Sequence, residues 1–372
     1  MNIALLSTGS FQEKEATAIT IMDFAQELMH QKNQVTIICE RRGEKNRFEE
    51  IKGIKIYKIG FRDRDKDRLA IYNRIFAHAF GLRRMQKKSQ SDFEVIHSFS
   101  AAPILALRTV ISKLFNKKAL TVHTLKSYSR AKLGSAFYKA LNFVDIVTVP
   151  SRVFADKLIT RGVQKDKIRV IHSHIDTKKF VPQDRDALKR KYGYEKKNII
   201  FYYGAMWEKK GTDDLIKAIP MVLKQNNKAL FLFAPRNLPY AENYDQELSY
   251  FGNRVRILKE EVNIADYVAM ADLVVLPYPE LTGTEGNPSC LLETMACKTP
   301  VVTTSLPELQ EIVGDCVFMA SQKDINSIAQ SIIKALEYYP ENMIEKAYRR
   351  AQEFSVEKIT QDFLQVYRSK KK

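Results

Sequence analysis

The sequence of 372 residues contains no apolar run near the ~18 residues that a membrane-spanning helix requires. Its opening segment, MNIALLSTGS, lacks a basic start and a long apolar core, so it predicts a β-strand rather than a secretory signal. The four cysteines, Cys39, Cys290, Cys297 and Cys316, include no C-x-x-C pair, which argues against a zinc or redox site. We therefore expect a protein of the reducing cytoplasm.

The charge of the chain is unevenly distributed. Hydrophobic residues make up 45% and charged residues 28%, which is typical of a globular protein, and the net charge is +17. Residues 1–180 hold 34 Lys and Arg against 17 Asp and Glu, whereas residues 181–372 hold 26 of each. The densest part, residues 68–142, has 14 basic residues opposed only by Asp92 and Glu94. This surplus indicates an anionic partner, such as a nucleic acid, an acidic lipid or a phosphorylated substrate, or simply a basic soluble surface.

Short β-branched runs alternate with helix-length amphipathic segments, which predicts an α/β fold with parallel sheets covered on both faces. A polar stretch, residues 176–197, separates two such series and predicts a domain boundary. We expect an N-terminal domain over 1–180, a C-terminal domain over 190–354, and a final helix near 355–372 that packs back on the first domain. The predicted strands cover 2–8, 34–39, 54–59, 93–98, 119–123, 145–149, 168–173, 198–204, 228–234, 254–258, 272–277 and 300–304. The predicted helices cover 16–31, 151–162, 212–226, 288–297, 322–338 and 355–367.

The most informative segment follows the predicted strand DLVVLP. A loop with Glu285 leads to Asn287 and Pro288, which suit the N-cap and the first position of a helix. The N-terminus of that helix would offer N–H groups and the positive end of a dipole to phosphate or sugar oxygens. Glu293 follows inside the helix, so the two glutamates could bind opposite ends of one ligand.

Together with other motifs, this segment resembles the family 4 retaining glycosyltransferases of group 1. The shared motifs include Glu-x7-Glu after a strand that ends in Pro, M-A-C-x-x-P-V-V, G-A-M-W-E-K-K-G (204–211) and T-V-H-T (121–124), in the order of the family. The resemblance covers most of the chain. It implies the GT-B fold, in which two Rossmann-like, doubly wound domains enclose an interdomain cleft with the active site.

The resemblance also implies a role for each matching residue. Glu293 would accept hydrogen bonds from the ribose hydroxyls of a nucleotide, and Glu285 would hold the donor sugar. Lys210 would stabilise charge on the departing nucleoside diphosphate, and His123 would face the donor sugar at the reaction centre. The implied catalytic residues are His123, Glu285 and Lys210. The implied donor-binding residues are Gly9, Lys210, Arg236, Glu285, Gly286, Asn287, Pro288, Ser289 and Glu293.

The sequence departs from the family pattern at several positions, including Ala205 and Lys298. The family usually has arginine after the glycine that ends the first strand of the second domain, whereas Ala205 follows Gly204 here. Lys209 or Arg236 could replace that missing cation. Lys298 stands where a glycine is common.

The implied reaction is the transfer of a sugar, with retention, from a nucleotide diphosphate sugar to an acceptor hydroxyl. No metal or other cofactor is expected, because a lysine and a helix dipole can neutralise the diphosphate and no carboxylate cluster is visible in the sequence. The alternative is a non-catalytic GT-B protein that binds sugar nucleotides or serves as a partner subunit. No nucleic-acid-binding motif accompanies the charge, so we expect no nucleic-acid partner.

The basic half lies on the acceptor side of this architecture. We therefore expect a lipid-linked or cell-surface glycan precursor as the acceptor, and a peripheral association with an anionic membrane. Residues 71–88 mix apolar residues and cations at helical spacing, with no acid. Such a helix would turn its apolar side chains either to lipid or to the core of its own domain. These side chains are Ile75, Phe76, Phe80 and Leu82.

Overall fold

The computed structural model describes residues 1–7, 16–40, 48–59, 75–76, 80–83, 86, 92–100, 105–126, 138–236, 238–281 and 288–369. The chain forms two compact units. The first unit comprises the described residues of Met1–His174 and Val356–Lys372, and the second those of Ile175–Leu281 and Asn287–Ser355. The polar stretch 176–197 therefore lies within the second unit, where it contains a helix.

The first unit contains an eight-stranded sheet. In chain order its strands are β1 (Asn2–Leu6), β2 (Gln34–Glu40), β3 (Phe48–Ile51), β4 (Ile54–Ile59), β5 (Val95–Ser100), β6 (Leu120–Leu125), β7 (Ile146–Val149) and β8 (Ile168–Val170). They lie in the order β3-β4-β2-β1-β5-β6-β7-β8, and β3 pairs with β4 in the antiparallel direction while the other pairs are parallel. Strand order reverses beside β1, and doubly wound sheets bind ligands at the carboxyl ends of strands at such a point.

The second unit contains a six-stranded parallel sheet. Its strands are β9 (Asn198–Gly204), β10 (Ala229–Pro235), β11 (Val255–Ile257), β12 (Leu273–Leu276), β13 (Val301–Thr304) and β14 (Phe318–Ala320). Their order is β11-β10-β9-β12-β13-β14, so the order reverses beside β9. The predicted strands are confirmed, but β3 and β14 were missed. β3 carries two glutamates in four residues, and β14 has only three residues, so neither has a strong apolar pattern.

Helices cover the sheets, as expected for parallel strands that are buried on both faces. They are α1 (Ala16–His30), α2 (Ala106–Phe115), α3 (Arg152–Ile159), α4 (Arg185–Tyr192), α5 (Thr212–Gln225), α6 (Leu238–Ala241), α7 (Asp245–Ser249), α8 (Ile264–Met270), α9 (Ser289–Ala296), α10 (Pro307–Val313), α11 (Ile325–Glu337), α12 (Glu341–Gln352) and α13 (Val356–Arg368). The predicted helices correspond to α1, α3, α5, α9, α11 and α13. In the described ranges, no helix has both the length and the apolar character needed to cross a membrane.

The C-terminal helix α13 packs against α1 in the first unit. The Phe363 ring lies 5.0 Å from the Phe24 ring, and the Tyr367 hydroxyl lies 2.5 Å from Nδ1 of His97 in β5. The other ring nitrogen of His97 lies 2.6 Å from Oγ1 of Thr124. Burial, followed by the neighbouring His123 and Lys126, holds the pKa of His97 well below its usual value. The neutral ring therefore links α13 to the centre of the first sheet.

Replacing Tyr367 should weaken this link. Tyr367→Phe keeps the ring but leaves a buried nitrogen of His97 without its partner, which should lower the free energy of unfolding by about 1–3 kcal/mol. Urea unfolding of the two proteins measures the difference. Tyr338→Phe is the matched control, because Tyr338 is 71% exposed, and its effect should stay below about 0.5 kcal/mol. Equal losses in the two variants would contradict this role for Tyr367.

Candidate functional site

Several residues predicted from the sequence lie at one edge of the second sheet, where β9, β10 and β12 end. The Gly204 carbonyl at the end of β9 accepts a hydrogen bond, 2.9 Å long, from the N–H of Arg236 just after β10. Lys210 lies on a short 3₁₀ turn after β9. Its ammonium lies 5.2 Å from the centre of the Tyr278 ring, which follows β12. The strand order reverses at this edge, so the fold places Lys210 and Arg236 where doubly wound sheets bind ligands.

A glycine holds the Lys210 turn against β12. Gly211 has a φ of +78°, and a methyl group at this position would lie 1.9 Å from the carbonyl oxygen of Pro277. Only a residue without a side chain can both adopt this φ readily and approach that carbonyl. The turn and the start of α5 therefore rest directly on the main chain at the end of β12.

A buried tyrosine fixes the other side of this turn. The Tyr202 hydroxyl donates to the carbonyl of Ala205 at 2.8 Å and accepts from Oγ1 of Thr212 at 3.1 Å. It thereby connects the residue after Gly204 to the first residue of α5. The main chain that carries Lys210 is held at both of its ends.

Helix α9 begins at Ser289, and Pro288 is its N-cap. The prediction that Pro288 would be the first helical residue was therefore wrong by one position. Proline fixes φ but not ψ, and Pro288 has the extended ψ of 120° that an N-cap commonly adopts. The first turn of α9 consequently starts one residue later than the sequence indicated.

Glu293 lies on α9 and is partly buried. Its carboxylate accepts a hydrogen bond of 3.0 Å from the Tyr203 hydroxyl and another from the Ser289 side chain. Burial raises the pKa of Glu293, and this rise is opposed by the two hydrogen bonds and by the charges of Arg236 and Lys179. Glu293 is thus a partly desolvated carboxylate with cations in its electrostatic range, a setting that is common at functional sites.

Tyr203 and Lys179 were missed by sequence reasoning. A tyrosine in a buried strand is most often part of the core, and a lysine in the polar stretch before α4 is most often a solvated charge. The one available signal for Tyr203 was its place next to Gly204, at the carboxyl end of β9. No signal in the sequence distinguished Lys179 from its neighbour Lys178.

Four predicted site residues lie outside the described residues. They are Gly9, Glu285, Gly286 and Asn287. Their roles stay predictions from the family resemblance.

His123 lies in β6 of the first unit and is fully buried. Its Nε2 lies 2.9 Å from the Ser100 hydroxyl, and its Nδ1 lies 2.8 Å from the Thr109 hydroxyl. Burial, followed by the charge of Arg108, lowers the pKa of His123 to about 3. The imidazole is therefore neutral at neutral pH, and both of its nitrogens contact hydroxyls of its own unit. Its contact with a donor sugar stays a prediction.

Arg108 shows that part of the positive surplus is structural. This arginine of α2 is fully buried, although no sequence pattern distinguishes it from the other cations. Its guanidinium donates to groups at the carboxyl ends of β1 and β5. The acceptors are the carbonyls of Leu6, Ser7 and Phe99 and the hydroxyl of Ser98.

Two glycine variants test how the Lys210 turn is held. Gly211→Ala should lower the free energy of unfolding by several kcal/mol, because its methyl group meets the Pro277 carbonyl. Gly193→Ala is the matched control: Gly193 has a φ of +77° with no atom within 4 Å of the added methyl. Its cost should be only the roughly 1–2 kcal/mol of left-handed backbone strain. Urea unfolding compares the two, and equal costs would show that the turn does not depend on this close approach.

Two family profiles match the chain. The profile described as Glycosyl transferases group 1 matches residues 197–338, and the profile described as Glycosyltransferase Family 4 matches residues 17–179. An N-acetyl-alpha-D-glucosaminyl L-malate synthase from Bacillus anthracis is 23% identical over 306 residues, which cover 78% of each chain. The GPI3 subunit of phosphatidylinositol N-acetylglucosaminyltransferase from Saccharomyces cerevisiae (strain YJM789) is 21% identical over 349 residues, covering 90% of this chain and 75% of that one.

Solved structures share the fold over almost the whole chain. HepE from Anabaena, in complex with UDP, aligns with a TM-score of 0.76 at 16% identity, covering 99% of this chain and 100% of that chain. A sucrose-phosphate synthase from Thermosynechococcus elongatus aligns with a TM-score of 0.79 at 18% identity, covering 99% and 98%. The two parallel α/β units are those of the GT-B fold. The chain belongs to the group 1 glycosyltransferases of family 4.

Proposed function

We propose that this protein is a retaining glycosyltransferase that moves a sugar from a nucleotide diphosphate sugar to an acceptor hydroxyl. The main support for this proposal is the position of Glu293, Lys210 and Arg236, which all lie at the edge of the second sheet where its strand order reverses. The complexes of HepE with UDP and with UDP-glucose support a nucleotide-sugar donor. Two relatives are named for N-acetylglucosaminyl products or transfer, which supports glycan biosynthesis.

Each residue has a distinct part in this proposal. Glu293 accepts the ribose hydroxyls, and Glu285 holds the donor sugar. Lys210 and Arg236, with the N-terminal amides of α9, offset the charge of the diphosphate as the bond to the sugar breaks. These groups supply the positive charge that a metal would otherwise provide, so we propose a metal-independent reaction. Retention rests on the family resemblance, in which the acceptor attacks on the front side of the donor.

His123 has a limited role in the proposed reaction. A ring with a pKa of about 3 carries no charge at neutral pH and supplies no acidic proton. A hydrogen bond from this ring to a donor sugar would replace its contact with Ser100 or Thr109. Its contribution would be to orient the donor sugar. This role does not require the imidazolium form at any step.

Ala205 favours a second candidate function. A protein without the arginine of the family could bind sugar nucleotides without turning them over, as a partner subunit. The carbonyl of Ala205 is fixed by Tyr202 at 2.8 Å, so the loop keeps its conformation without that arginine. If the protein is a catalyst, Arg236 is the candidate replacement for the missing arginine. Its backbone N–H donates to the carbonyl of Gly204, the residue before Ala205.

A lysine variant tests the catalytic proposal. Lys210→Ala should reduce the release of nucleoside diphosphate from its donor by at least about 100-fold, because a preorganised cation at the leaving group is lost. The donor used in this assay is first identified by testing the wild type with UDP-, GDP- and ADP-sugars. Lys217→Ala removes the same charge from an exposed position on α5 and should retain the rate.

Two outcomes would count against this assignment. A folded Lys210→Ala variant with a near-normal rate would place the diphosphate elsewhere, with Arg236 as the next candidate. A wild type that binds a sugar nucleotide but neither hydrolyses nor transfers it would favour the non-catalytic function.

We also propose that the acceptor is a lipid-linked or cell-surface glycan precursor, reached at an anionic membrane. An exposed apolar patch in the first unit supports this. It consists of Phe76, Phe80, Leu114 and Phe115, which are 43%, 53%, 64% and 37% exposed. The Phe80 and Phe115 rings lie 5.5 Å apart. Ile75 and Leu82 are buried instead, so the described part of residues 71–88 divides its apolar side chains between the core and the surface.

Cations border this apolar patch. The guanidinium of Arg83 lies 4.9 Å from the Phe115 ring, and the exposed Lys117 and Lys118 follow α2. Lys113 is not among them, because its ammonium pairs with Asp145 at 2.7 Å. Apolar side chains that enter the headgroup region and cations that meet lipid phosphates are the combination used by peripheral membrane proteins.

Liposome co-sedimentation tests the membrane proposal. Binding should rise with the fraction of phosphatidylglycerol and fall with salt, because the attraction is screened within roughly 10 Å at 0.1 M. Reversing Arg83, Lys117 and Lys118 to glutamate should weaken binding at least about 100-fold, at about 1 kcal/mol per cation. Reversing Lys224 and Lys228, which are exposed in the second unit, is the control. If wild type ignores anionic liposomes at low salt, or both sets of reversals act alike, the proposal is wrong.

A further inference from the structure

Tyr203 connects the end of β9 to the first turns of α9. Its hydroxyl lies 3.0 Å from Oε2 of Glu293 and 2.8 Å from the carbonyl oxygen of Cys290. The side chain is 6% exposed, and its ring stacks on Phe201 with the centres 5.3 Å apart and the planes 11° from parallel. A rigid strand therefore places a single hydroxyl against the carboxylate.

The hydroxyl has one proton, and its oxygen neighbours are Oε2 of Glu293, the carbonyl of Cys290 and, at 3.4 Å, Oγ1 of Thr294. The Cys290 carbonyl already accepts from Oγ1 of Thr294 at 2.7 Å. In its ionised form Glu293 is a charged acceptor, and a hydrogen bond to a charged group is roughly twice as strong as a neutral one. Burial, followed by the charge of Glu293, raises the pKa of Tyr203 well above its usual value, so the hydroxyl keeps its proton. The donor bond is therefore assigned to Glu293.

This bond restricts a flexible side chain. The glutamate has several rotatable bonds, and the Ser289 side chain, which also bonds to it, belongs to the same helix. Among the described residues, Tyr203 is the hydrogen-bond partner that joins the Glu293 carboxylate to a different element, strand β9 in the middle of the sheet. With Oε2 held by Tyr203, the remaining lone pairs of the carboxylate stay available to the two hydroxyls of a ribose.

We propose that Tyr203 is a positioning residue for donor recognition, whose hydroxyl orients Glu293 toward the ribose hydroxyls of the nucleotide. The inference rests on the proposed function, because it takes Glu293 as the ribose-binding residue. It gives β9 a direct part in discriminating ribose from its deoxy analogues.

The ionisation of Glu293 gives this role a pH signature. A carboxylate accepts hydrogen bonds from a diol better than a carboxylic acid does, so nucleotide binding should weaken as the pH falls through the pKa of Glu293. The Tyr203 bond opposes the rise in that pKa caused by burial. Removing the bond should therefore shift the loss of binding to a higher pH. The titratable and charged groups that interact with Glu293 in the described residues are Tyr203 on β9, Cys297 just after α9, Arg236 after β10 and Lys179 before α4.

Tyr203→Phe tests the proposal, because it keeps the stacked ring and removes only the hydroxyl. Calorimetry measures affinity for whichever of UDP, GDP and ADP binds wild type best, and for the 2′,3′-dideoxy form of that nucleotide. The variant should lose about tenfold in affinity for the ribonucleotide and less than about twofold for the dideoxy form. Its pH midpoint for binding should move upward. Tyr339→Phe is the control, since Tyr339 donates to the Val301 carbonyl at 3.2 Å in the same unit, and it should change neither quantity.

The outcomes separate this inference from the proposed function. Equal losses for the two nucleotides, no loss, or an unmoved pH midpoint would overturn the role of Tyr203 while leaving nucleotide binding intact. If wild type binds no nucleoside diphosphate, the proposed function fails and the inference fails with it.

A second variant keeps the inference testable if Tyr203→Phe does not fold. Thr294→Val preserves shape but removes both the donor to the Cys290 carbonyl and the 3.4 Å contact with the Tyr203 hydroxyl, so that carbonyl competes for the Tyr203 proton. Affinity for the ribonucleotide should fall by about twofold to threefold, with the dideoxy form unaffected. An unchanged preference for the ribonucleotide in this variant would overturn the inference.

Discussion

The close contact between Gly211 and the Pro277 carbonyl is the constraint on which the site in the second unit depends. A parallel sheet that is buried on both faces leaves only its strand ends for chemistry. The Lys210 turn reaches the end of β12 because no side chain separates the two main chains. Tyr202 completes the support from the other side. The position of the lysine thus follows from backbone packing and not from the lysine itself.

The positive charge of the chain has three different uses. Arg108 satisfies carbonyls at the ends of β1 and β5 inside the first unit. Lys189 pairs with Asp272 at 2.6 Å and holds α4 to the second sheet. Arg83 borders the exposed apolar patch instead. Net charge alone could not separate these uses, because burial and partners decide whether a cation is structural or available to a ligand.

Much of the fold could be predicted from the sequence, because long apolar strands and amphipathic helices have strong patterns. The edge strands β3 and β14 were missed, since short or charged strands take their structure from neighbours. Lys298 illustrates a different point: it adopts a φ of +57°, as expected where the family has glycine. Its ammonium pairs with Glu345 and lies 4.8 Å from the Tyr348 ring, so long-range contacts support a conformation that lysine disfavours.

The candidate site was predictable only in part. Motifs identified Lys210 and Glu293 because their residue types match a known family pattern, and the structure brings both to the expected edge of the sheet. The Tyr203 hydroxyl joins residues 90 positions apart in the sequence, and no local pattern encodes such a contact. The hydroxyl partners of His123 likewise come from β5 and α2, so its neutral state required the tertiary structure.

The central claim is that the second unit binds a nucleotide through the carboxylate of Glu293. Titration calorimetry with UDP, GDP and ADP on wild type and Glu293→Ala tests it most directly. The account predicts that one of these nucleotides binds wild type, and that the variant, shown to be folded by circular dichroism, loses about 1–3 kcal/mol of binding free energy. Unchanged affinity in the folded variant would contradict the account.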